Sequence, residues 1–375
     1  MQTEIQTELD DRRFMTLALA LGRRGLGRVW PNPAVGAVVV RREPSGPVVV
    51  GRGWTQPGGR PHAETEALRR AGTAACGATL YVTLEPCSHY GKTPPCADAV
   101  IAAGIARVVA AIGDPNPQVA GNGFARLKAA GIAVDVGLGV AEARRDHAGF
   151  LRRILDGRPH VTLKLAVTAD DKAGAAGRRP LAITGALARV RAHLMRAQSD
   201  AILVGIGTVL ADDPQLTCRL PGMAGRSPIR VVLDGRLRLP LSSRLVAGAG
   251  ATPVWVVAAS DAPSAAENAL RAQGAEVIRV GRRKGSLDLA EVLARLGERG
   301  ITRLLVEGGP MVAASFLADE LVDEAVLMRA PHAIGGDGID ALEGLPLTAL
   351  TNAPQFTRLA VEPAGDDTVE LFARV

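Results

Sequence analysis

The sequence predicts an α/β protein of two domains, with helices between the strands of mostly parallel sheets. Three observations predict it. Apolar β-branched runs alternate with helical stretches along the whole chain. The breakers Asp156, Gly157 and Pro159 interrupt that alternation near the middle. A length of 375 residues fits two domains. A polar stretch is therefore expected over 1–10, a first domain over 11–156 and a second over 157–375.

Residues 11–24 carry an amphipathic helical pattern. "VGAVVVR" and "GPVVVGRG" are β-branched runs that read as a hairpin. "HAETEALRRA" reads as a helix and "ATLYVTL" as a buried strand. "PPCADAVIAAG" is a helix with Pro at its start and Gly at its end. "ARVVAAI" is a strand, "GNGFARLKAAG" a helix and "IAVDVGL" a strand. One further helix is expected over roughly 139–155. "HVTLKLAVT" then opens the second domain as a strand. Strands follow near 200–206, 228–233, 253–259, 275–280 and 302–306, with helices between them. "DEAVLMRAP" and "DTVELFARV" read as late strands.

Composition narrows the class. Apolar residues make up 47% and charged residues 22%, enough to bury a core. No apolar run reaches the roughly 18 residues of a membrane span, so no membrane partner is expected. The start, "MQTEIQTELDDRRF", is polar and acidic, unlike a signal peptide, and the cytoplasm is the default location. Four cysteines are too few for a disulfide scaffold, and paired ones then point to metal or catalysis. The net charge of +6 fits an Arg-rich surface, or an anionic partner such as nucleic acid or a phosphorylated metabolite. Aromatics are only 3%, which leaves few stacking platforms for single-stranded nucleic acid. The phosphorylated metabolite is favoured.

The strongest chemical signal is a His/Cys/Cys constellation. His62 and Glu64 sit two apart in "PHAETEAL", at a helix start. Cys87 ends the next strand, and Cys96 opens the next helix. One His and two Cys suit a catalytic zinc whose fourth position stays open. Such a zinc brings the pKa of its water to about 7. A carboxylate two residues from the His can move the proton without ligating the metal. Zinc nucleobase deaminases share this layout, H-x-E followed by P-C-x-x-C, with Glu as general acid/base. Alone, H-x-E is common, and a Cys pair with eight residues between is weak. The conjunction is specific. His89 is the rival ligand, but its place inside the loop favours substrate or solvent. Cys76 reads as a small packing residue and Cys218 as incidental. Asn32, between two prolines in "PNPAVGAVVV", is a rigid amide for a sugar or base edge, or equally plain turn chemistry.

The second domain is less explicit. In "VEGGP", Gly308 and Gly309 would let a phosphate approach a helix N-terminus, although an ordinary tight turn reads as well. "VGIGTVLADDP" again places Gly, Thr and two carboxylates after a strand. No G-x-G-x-x-G follows a strand with an acidic residue at the right distance, which argues against a Rossmann cofactor site.

Taken together, "PNPAVGAVVV", "PHAETEAL", "YVTLEPCSHYGKTPPCADAVIAAGIARVV", "DPNPQVAGNG", "RAQSDAILVGIGTVLADDPQLTCR" and "VEGGP" resemble the bifunctional deaminase–reductase family of riboflavin biosynthesis. The resemblance spans nearly the whole chain. The long "CSHYGKTPPC" loop is itself specific, because purine, cytosine and tRNA deaminases mostly keep CxxC. The resemblance implies a cytidine-deaminase-like three-layer α/β/α zinc domain over 11–156. It implies a dihydrofolate-reductase-like α/β domain using NADPH over 157–375. The implied substrate of the first is 2,5-diamino-6-ribosylamino-4(3H)-pyrimidinone 5′-phosphate, which loses ammonia. The second would reduce the ribosyl group of the product to ribityl.

By the same resemblance, His62, Cys87 and Cys96 hold Zn2+, and Glu64 shuttles the proton. Thr208, Asp212, Gly309, Pro310 and Met311 match cofactor positions, and Ala166 lies on the strand bordering them. Arg196, Leu216, Arg219 and Glu307 match substrate positions, with the arginines on phosphate. Asn32 and Lys92 are expected to touch substrate, with Ser88, His89 and Tyr90 also aimed at the pocket. A homo-oligomer is expected. The alternatives are a nucleobase or tRNA deaminase with an unrelated C-terminal domain, or a zinc-stabilised binding protein without turnover.

Two departures from the family pattern bear on the second domain. Where the family has Ser/Thr-x-Asp-Gly, the chain reads Thr168-Ala169-Asp170-Asp171. "GRRPLAIT" places Pro180 at a usual serine and Ala182 at a usual tryptophan. Arg178 or Arg179 is expected to compensate by contacting phosphate.

Overall fold

The structure is a computed structural model that describes residues 2–90, 94–117, 119–178 and 181–375. Two compact units make up the chain, Met1–Gly157 and Arg158–Val375. Among the described residues no helix is long and apolar enough to cross a membrane.

The first unit runs α1 (Gln2–Gly22), β1 (Gly36–Glu43), β2 (Gly46–Trp54), α2 (Ala63–Ala71), β3 (Thr79–Val82), α3 (Cys96–Ala102), β4 (Arg107–Ala110), α4 (Asn122–Ala129), β5 (Ala133–Val136), α5 (Val140–Asp146) and α6 (Ala148–Asp156). Its sheet has the order β2-β1-β3-β4-β5. β1 is antiparallel to β2 and β3, and β3, β4 and β5 are parallel. Helices cover both faces at close range. A Cβ on Gly36 would stand 1.8 Å from the Ala18 carbonyl of α1. On the other face, a Cβ on Gly53 would stand 2.3 Å from the Ala63 carbonyl of α2. Only glycine lets backbones meet this closely. The interior between is fully buried Val38, Val39, Leu80, Val82, Val108 and Ala110.

Two helices differ from expectation. The first begins at Gln2, so the expected polar extension over 1–10 is its first turns. Its polar surface is tied by local pairs such as Arg12–Glu8 at 2.8 Å, which apolar periodicity does not register. Deeper in, Asp11 accepts from Tyr81 Oη at 2.6 Å and from the Arg107 fork at 3.0 and 2.8 Å. The helix expected over 139–155 is two helices, α5 and α6. They part at His147, whose ring is buried with Nε2 3.1 Å from Thr83 Oγ1.

The second unit contains β6 (His160–Val167), β7 (Lys172–Gly174), α7 (Ala186–Ala197), β8 (Ala201–Gly205), α8 (Ile206–Asp212), β9 (Ile229–Leu233), α9 (Arg244–Ala247), β10 (Val254–Ala259), α10 (Ser264–Ala272) and β11 (Glu276–Val280). It continues with β12 (Arg282–Arg283), β13 (Ser286–Leu287), α11 (Leu289–Glu298), β14 (Arg303–Val306), α12 (Pro310–Ala318), β15 (Glu324–Arg329), β16 (Ile339–Asp340), α13 (Thr348–Thr351), β17 (Phe356–Ala364) and β18 (Asp367–Arg374). The main sheet has the order β11-β10-β9-β8-β14-β6-β15-β18-β17. It is parallel as far as β15, and β18 and β17 close it antiparallel. β8 and β10 are buried at every residue, as strands covered on both faces are.

β17 has no counterpart among the expected strands. It is an edge strand with mostly exposed residues, so it lacks an apolar signature. Between β8 and β14 the chain departs to opposite sides, which opens a crevice at their carboxyl ends. Helix α12 seals the floor of that crevice. A Cβ on Gly205 or Gly308 would come within 2.8 or 2.7 Å of Val312 on α12.

Candidate active sites

The first site forms where α2, the loop after β3 and α3 converge. His62 is the N-cap of α2, and Cys96 is the first residue of α3. His62 Nδ1 lies 3.2 Å from Cys96 Sγ and 3.6 Å from Cys87 Sγ. All three ligand atoms lie within 4.8 Å of one another. The Cys96 backbone N–H donates to Cys87 Sγ at 3.3 Å, and the Ala97 N–H donates to the Cys87 carbonyl at 3.1 Å. Cys87 lies five residues beyond the end of β3, in the loop and not at the strand end that the sequence suggested, and these bonds lock that loop to the start of α3. A hydrogen bond from the Cys96 side chain brings the Cys87 thiol down to about 4, which favours a thiolate ligand. One imidazole and two soft sulfurs at this separation fit a tetrahedral zinc with one position open.

Glu64 lies in the first turn of α2, 3% exposed. Burial raises its carboxyl to about 7, against the pull of His62. That is the range in which a carboxylate can both take and return a proton. A cavity of about 230 Å³ opens beside it, lined by Asn32, His89 and Asp114 together with His62, Glu64 and Cys87. Burial also raises Asp114, to about 6. Asn32 packs on a glycine: a Cβ on Gly59 would stand 1.9 Å from its Nδ2.

Of the loop residues, His89 sits as expected, and Tyr90 and Ser88 do not. His89 faces the cavity and stays outside the His/Cys/Cys cluster. Tyr90 is exposed and donates to Asp98 Oδ2 at 3.0 Å, so its hydroxyl serves α3. Ser88 does not line the cavity. Cys76, expected as a packing residue, is exposed at the end of the turn Gly72–Ala75 that precedes β3. Lys92 lies outside the described residues, as do Arg179, Pro180 and the side chain of Arg178.

Glu85 escaped the sequence reading. Its carboxylate accepts from the backbone N–H groups of Asp114 (3.2 Å), Gly121 (3.0 Å), Gly123 (2.9 Å) and Phe124 (3.2 Å). It therefore fixes the segment that carries Asp114 to the cavity. An acid ending an apolar strand next to Pro86-Cys87 was the available signal.

The second site occupies the crevice of the other unit. A cavity of about 360 Å³ is lined by Ala166, Thr208, Asp212, Glu307, Gly309 and Pro310. A further cavity of about 630 Å³ shares Thr208, Gly309 and Pro310 with it and adds Met311. A Cβ on Gly309 would stand 3.2 Å from Thr208 Oγ1, so the two walls come close together there. Two connected chambers meeting at a helix N-terminus fit an extended dinucleotide with its phosphates at the waist.

Arg196 differs from expectation. Its Nε and Nη2 donate to Glu307 at 3.0 and 2.7 Å, and its Nη1 donates to the Thr217 carbonyl. A carboxylate with little access to water is best held by such a fork, so Arg196 orients Glu307. Leu216 is buried at φ +56° and Arg219 is exposed; neither lines the cavity. Cys218, between them, is buried.

Lys164 also escaped the sequence reading. It lines the cavity beside Glu307, on the same strand as Ala166. Burial pushes its ammonium below the usual lysine range, opposed by the charge of Glu307. Burial also works against Glu307, yet Lys164 and Arg196 hold its carboxyl below the usual range. The alternating burial of β6 put Lys164 on the cavity side, which a plain apolar run conceals.

The departure at Thr168–Asp171 is accommodated. Asp171 takes φ +61°, where the family glycine would sit, and receives Arg329 Nη1 at 2.5 Å. Ala182 borders the cavity next to Leu181, whose exposed side chain adds apolar surface there.

Comparison with known proteins agrees with both halves. Residues 9–112 match the family model of the cytidine and deoxycytidylate deaminase zinc-binding region, and residues 159–369 match that of the RibD C-terminal domain. The riboflavin biosynthesis protein RibD of Escherichia coli strain K12 is 42% identical over 372 residues, covering 96% of this chain and 98% of that protein. Its Mycobacterium tuberculosis counterpart is 39% identical, covering 96% of each. Among solved structures, Acinetobacter baumannii RibD superposes with a TM-score of 0.85 at 35% identity, over 97% of this chain and 99% of that one. A Thermotoga maritima diaminohydroxyphosphoribosylaminopyrimidine deaminase/5-amino-6-(5-phosphoribosylamino)uracil reductase gives 0.83 at 35% identity, over 97% and 99%. The first unit has the cytidine-deaminase-like fold and the second the dihydrofolate-reductase-like fold. The C-terminal match overturns the alternative of an unrelated second domain. By sequence, fold and both sites, the chain belongs to the RibD family of riboflavin biosynthesis proteins.

Proposed function

We propose that residues 11–156 deaminate the diaminopyrimidine ribosyl phosphate, and that residues 157–375 reduce the ribosyl group of the resulting uracil with NADPH. The observation that carries the first step is the His62/Cys87/Cys96 cluster with buried Glu64 at the wall of one cavity. Overall, water adds to the ring carbon, its C–N bond breaks, and ammonia leaves.

The chain's own residues have separable tasks. His62, Cys87 and Cys96 would hold zinc, which when bound supplies an acidified water. Glu64 would take a proton from the attacking water and deliver it to the leaving nitrogen. Asn32, with its amide fixed on Gly59, is placed for the ring or ribose edge. Lys92 is assigned to the substrate phosphate.

In the reductase, NADPH supplies the hydride. Ala166, Thr208, Asp212, Gly309, Pro310 and Met311 form its seat. Glu307, oriented by Arg196, accepts hydrogen bonds from the ribosyl hydroxyls, and Leu216 and Arg219 support that end from outside the cavity. Reduction also consumes a proton, and Lys164 is the cation at the cavity wall with one to give. Holding the donor and acceptor carbons in line is the main requirement of hydride transfer. We place the protein in the cytoplasm as a homo-oligomer.

The decisive experiment supplies the diaminopyrimidine phosphate with and without NADPH, following ammonia and NADPH separately. Ammonia should appear without NADPH, and oxidation should follow only once deaminated product exists. Ammonia release from free cytosine instead, with no action on the phosphate, would reject the assignment.

A further inference from the structure

The larger chamber of the second unit has a cationic mouth. Arg236, Arg238, Arg282, Arg283 and Lys284 all line it. Three of them come from one hairpin, β12–β13, in "GRRKGS". Arg282 pairs with Leu287 and Arg283 with Ser286, leaving Lys284 and Gly285 as a two-residue turn. Both turn residues have positive φ, +51° and +81°, the geometry of a type I′ turn that matches strand twist. The hairpin is therefore a shaped element and not a slack loop.

Arg282 ties it down. Its Nε donates to Asp261 at 3.2 Å, and its Nη2 reaches the Gly235 carbonyl at 3.5 Å on the facing segment. Arg283 and Lys284, in contrast, carry no side-chain hydrogen bond or ion pair among the described residues. Arg236 and Arg238 are exposed on the segment that Arg282 touches, and line the same cavity. Like charges gathered at one cavity repel, which is tolerable when an anion sits among them.

We propose that this hairpin and the Arg236–Arg238 segment read the 2′-phosphate of the cofactor and make the second unit select NADPH over NADH. The inference rests on the cofactor reading above. The smaller chamber holds Lys164 and Glu307, so the reacting ring belongs there. Gly309 and Pro310, at the N-terminus of α12, line both chambers. The adenosine end then falls in the larger chamber, and its only extra anion relative to NADH meets the cationic mouth. Arg283 and Lys284 offer charge-assisted hydrogen bonds to phosphate.

The test uses the full-length protein and calorimetric binding of adenosine 2′,5′-bisphosphate, adenosine 5′-monophosphate, NADPH and NADH. The wild type should bind the bisphosphate and NADPH at least about tenfold more tightly than their counterparts, as loss of one or two charge-assisted contacts implies. The double variant Arg283→Gln/Lys284→Asn should weaken the bisphosphate and NADPH by about tenfold or more. It should leave the monophosphate and NADH within about twofold. Asn is chosen because it tolerates the left-handed turn position. Arg236→Gln/Arg238→Gln should lower the same preference. The wild-type preference should also shrink between about 50 and about 500 mM salt. An unchanged preference in both double variants overturns the proposal while leaving NADPH as cofactor. A wild type that binds NADPH and NADH equally does the same. No binding of either dinucleotide would instead reject the reductase reading itself, and the proposal with it.

Discussion

Single side chains divide the chemistry in the first site. Glu64 is two residues from His62 on α2, close enough to share the cavity but not needed to hold the metal. Glu64→Gln should therefore lower deamination by roughly 10²- to 10⁴-fold or more while zinc content stays at one per chain. Metal analysis beside ammonia release checks both halves, and loss of zinc in this variant would count against the assignment. In the second site, Arg196 and Glu307 act as one unit. Arg196→Ala strips Glu307 of its hydrogen-bonded fork and leaves only the nearby charge of Lys164, so unfolding stability of this unit should fall by about 1–3 kcal/mol. Arg196→Lys should recover only part of the reductase activity, since a point charge cannot replace the fork. Denaturant titration and NADPH oxidation measure the two effects.

At the scale of elements, buried carboxylates hold segments whose own sequences do not fix their paths. Glu85 gathers four backbone N–H groups of the segment after β4. Glu85→Ala should destabilise the first unit by about 2–4 kcal/mol and raise the deaminase KM, because Asp114 loses its support. Urea unfolding and steady-state kinetics would show whether the effect stays on KM. Asp323 plays the same part at the start of β6. It accepts both arms of Arg158 at 2.7 and 2.8 Å and the Val161 N–H at 2.8 Å. Burial opposes the charge of Asp323, but the Arg158 pair holds its pKa below the usual value. A depressed carboxylate stabilises the fold fully above its unfolded pKa of about 3.9 and loses that contribution as pH falls through the folded value. The stability gap between wild type and Arg158→Ala should thus be widest near neutral pH and close below about pH 4. A gap that widens on acidification would contradict this.

For the whole molecule, the two compact units carry separate cores and separate sites. Removing zinc with a chelator should stop ammonia release, while NADPH oxidation with deaminated substrate continues. The zinc ligands join loops and helix starts around a core that is buried without them, so the first unit should remain folded after chelation. Circular dichroism before and after treatment tests this, and unfolding would make the metal structural.

The amino-acid sequence by itself singled out the His62, Cys87 and Cys96 set with Glu64, a break near Gly157 where the compact units part, and most strands. Each rests on local spacing: a His and a Glu two apart, a cysteine after a strand, β-branched runs between breakers. It also placed Thr208, Asp212 and Gly309 together by resemblance, and the crevice does bring these three to one wall. Only the tertiary structure decided the rest. Glu85 matters because residues nearly forty positions later fold onto it, and Arg196 is turned to Glu307 across 111 positions of chain. Lys164 faces a cavity only because β6 lies beside β14, and β17 is a strand only because β18 offers it an edge. Spacing along the chain records contacts within a turn or a strand. Burial, pairing partners and the charge around a side chain are set by packing between distant segments.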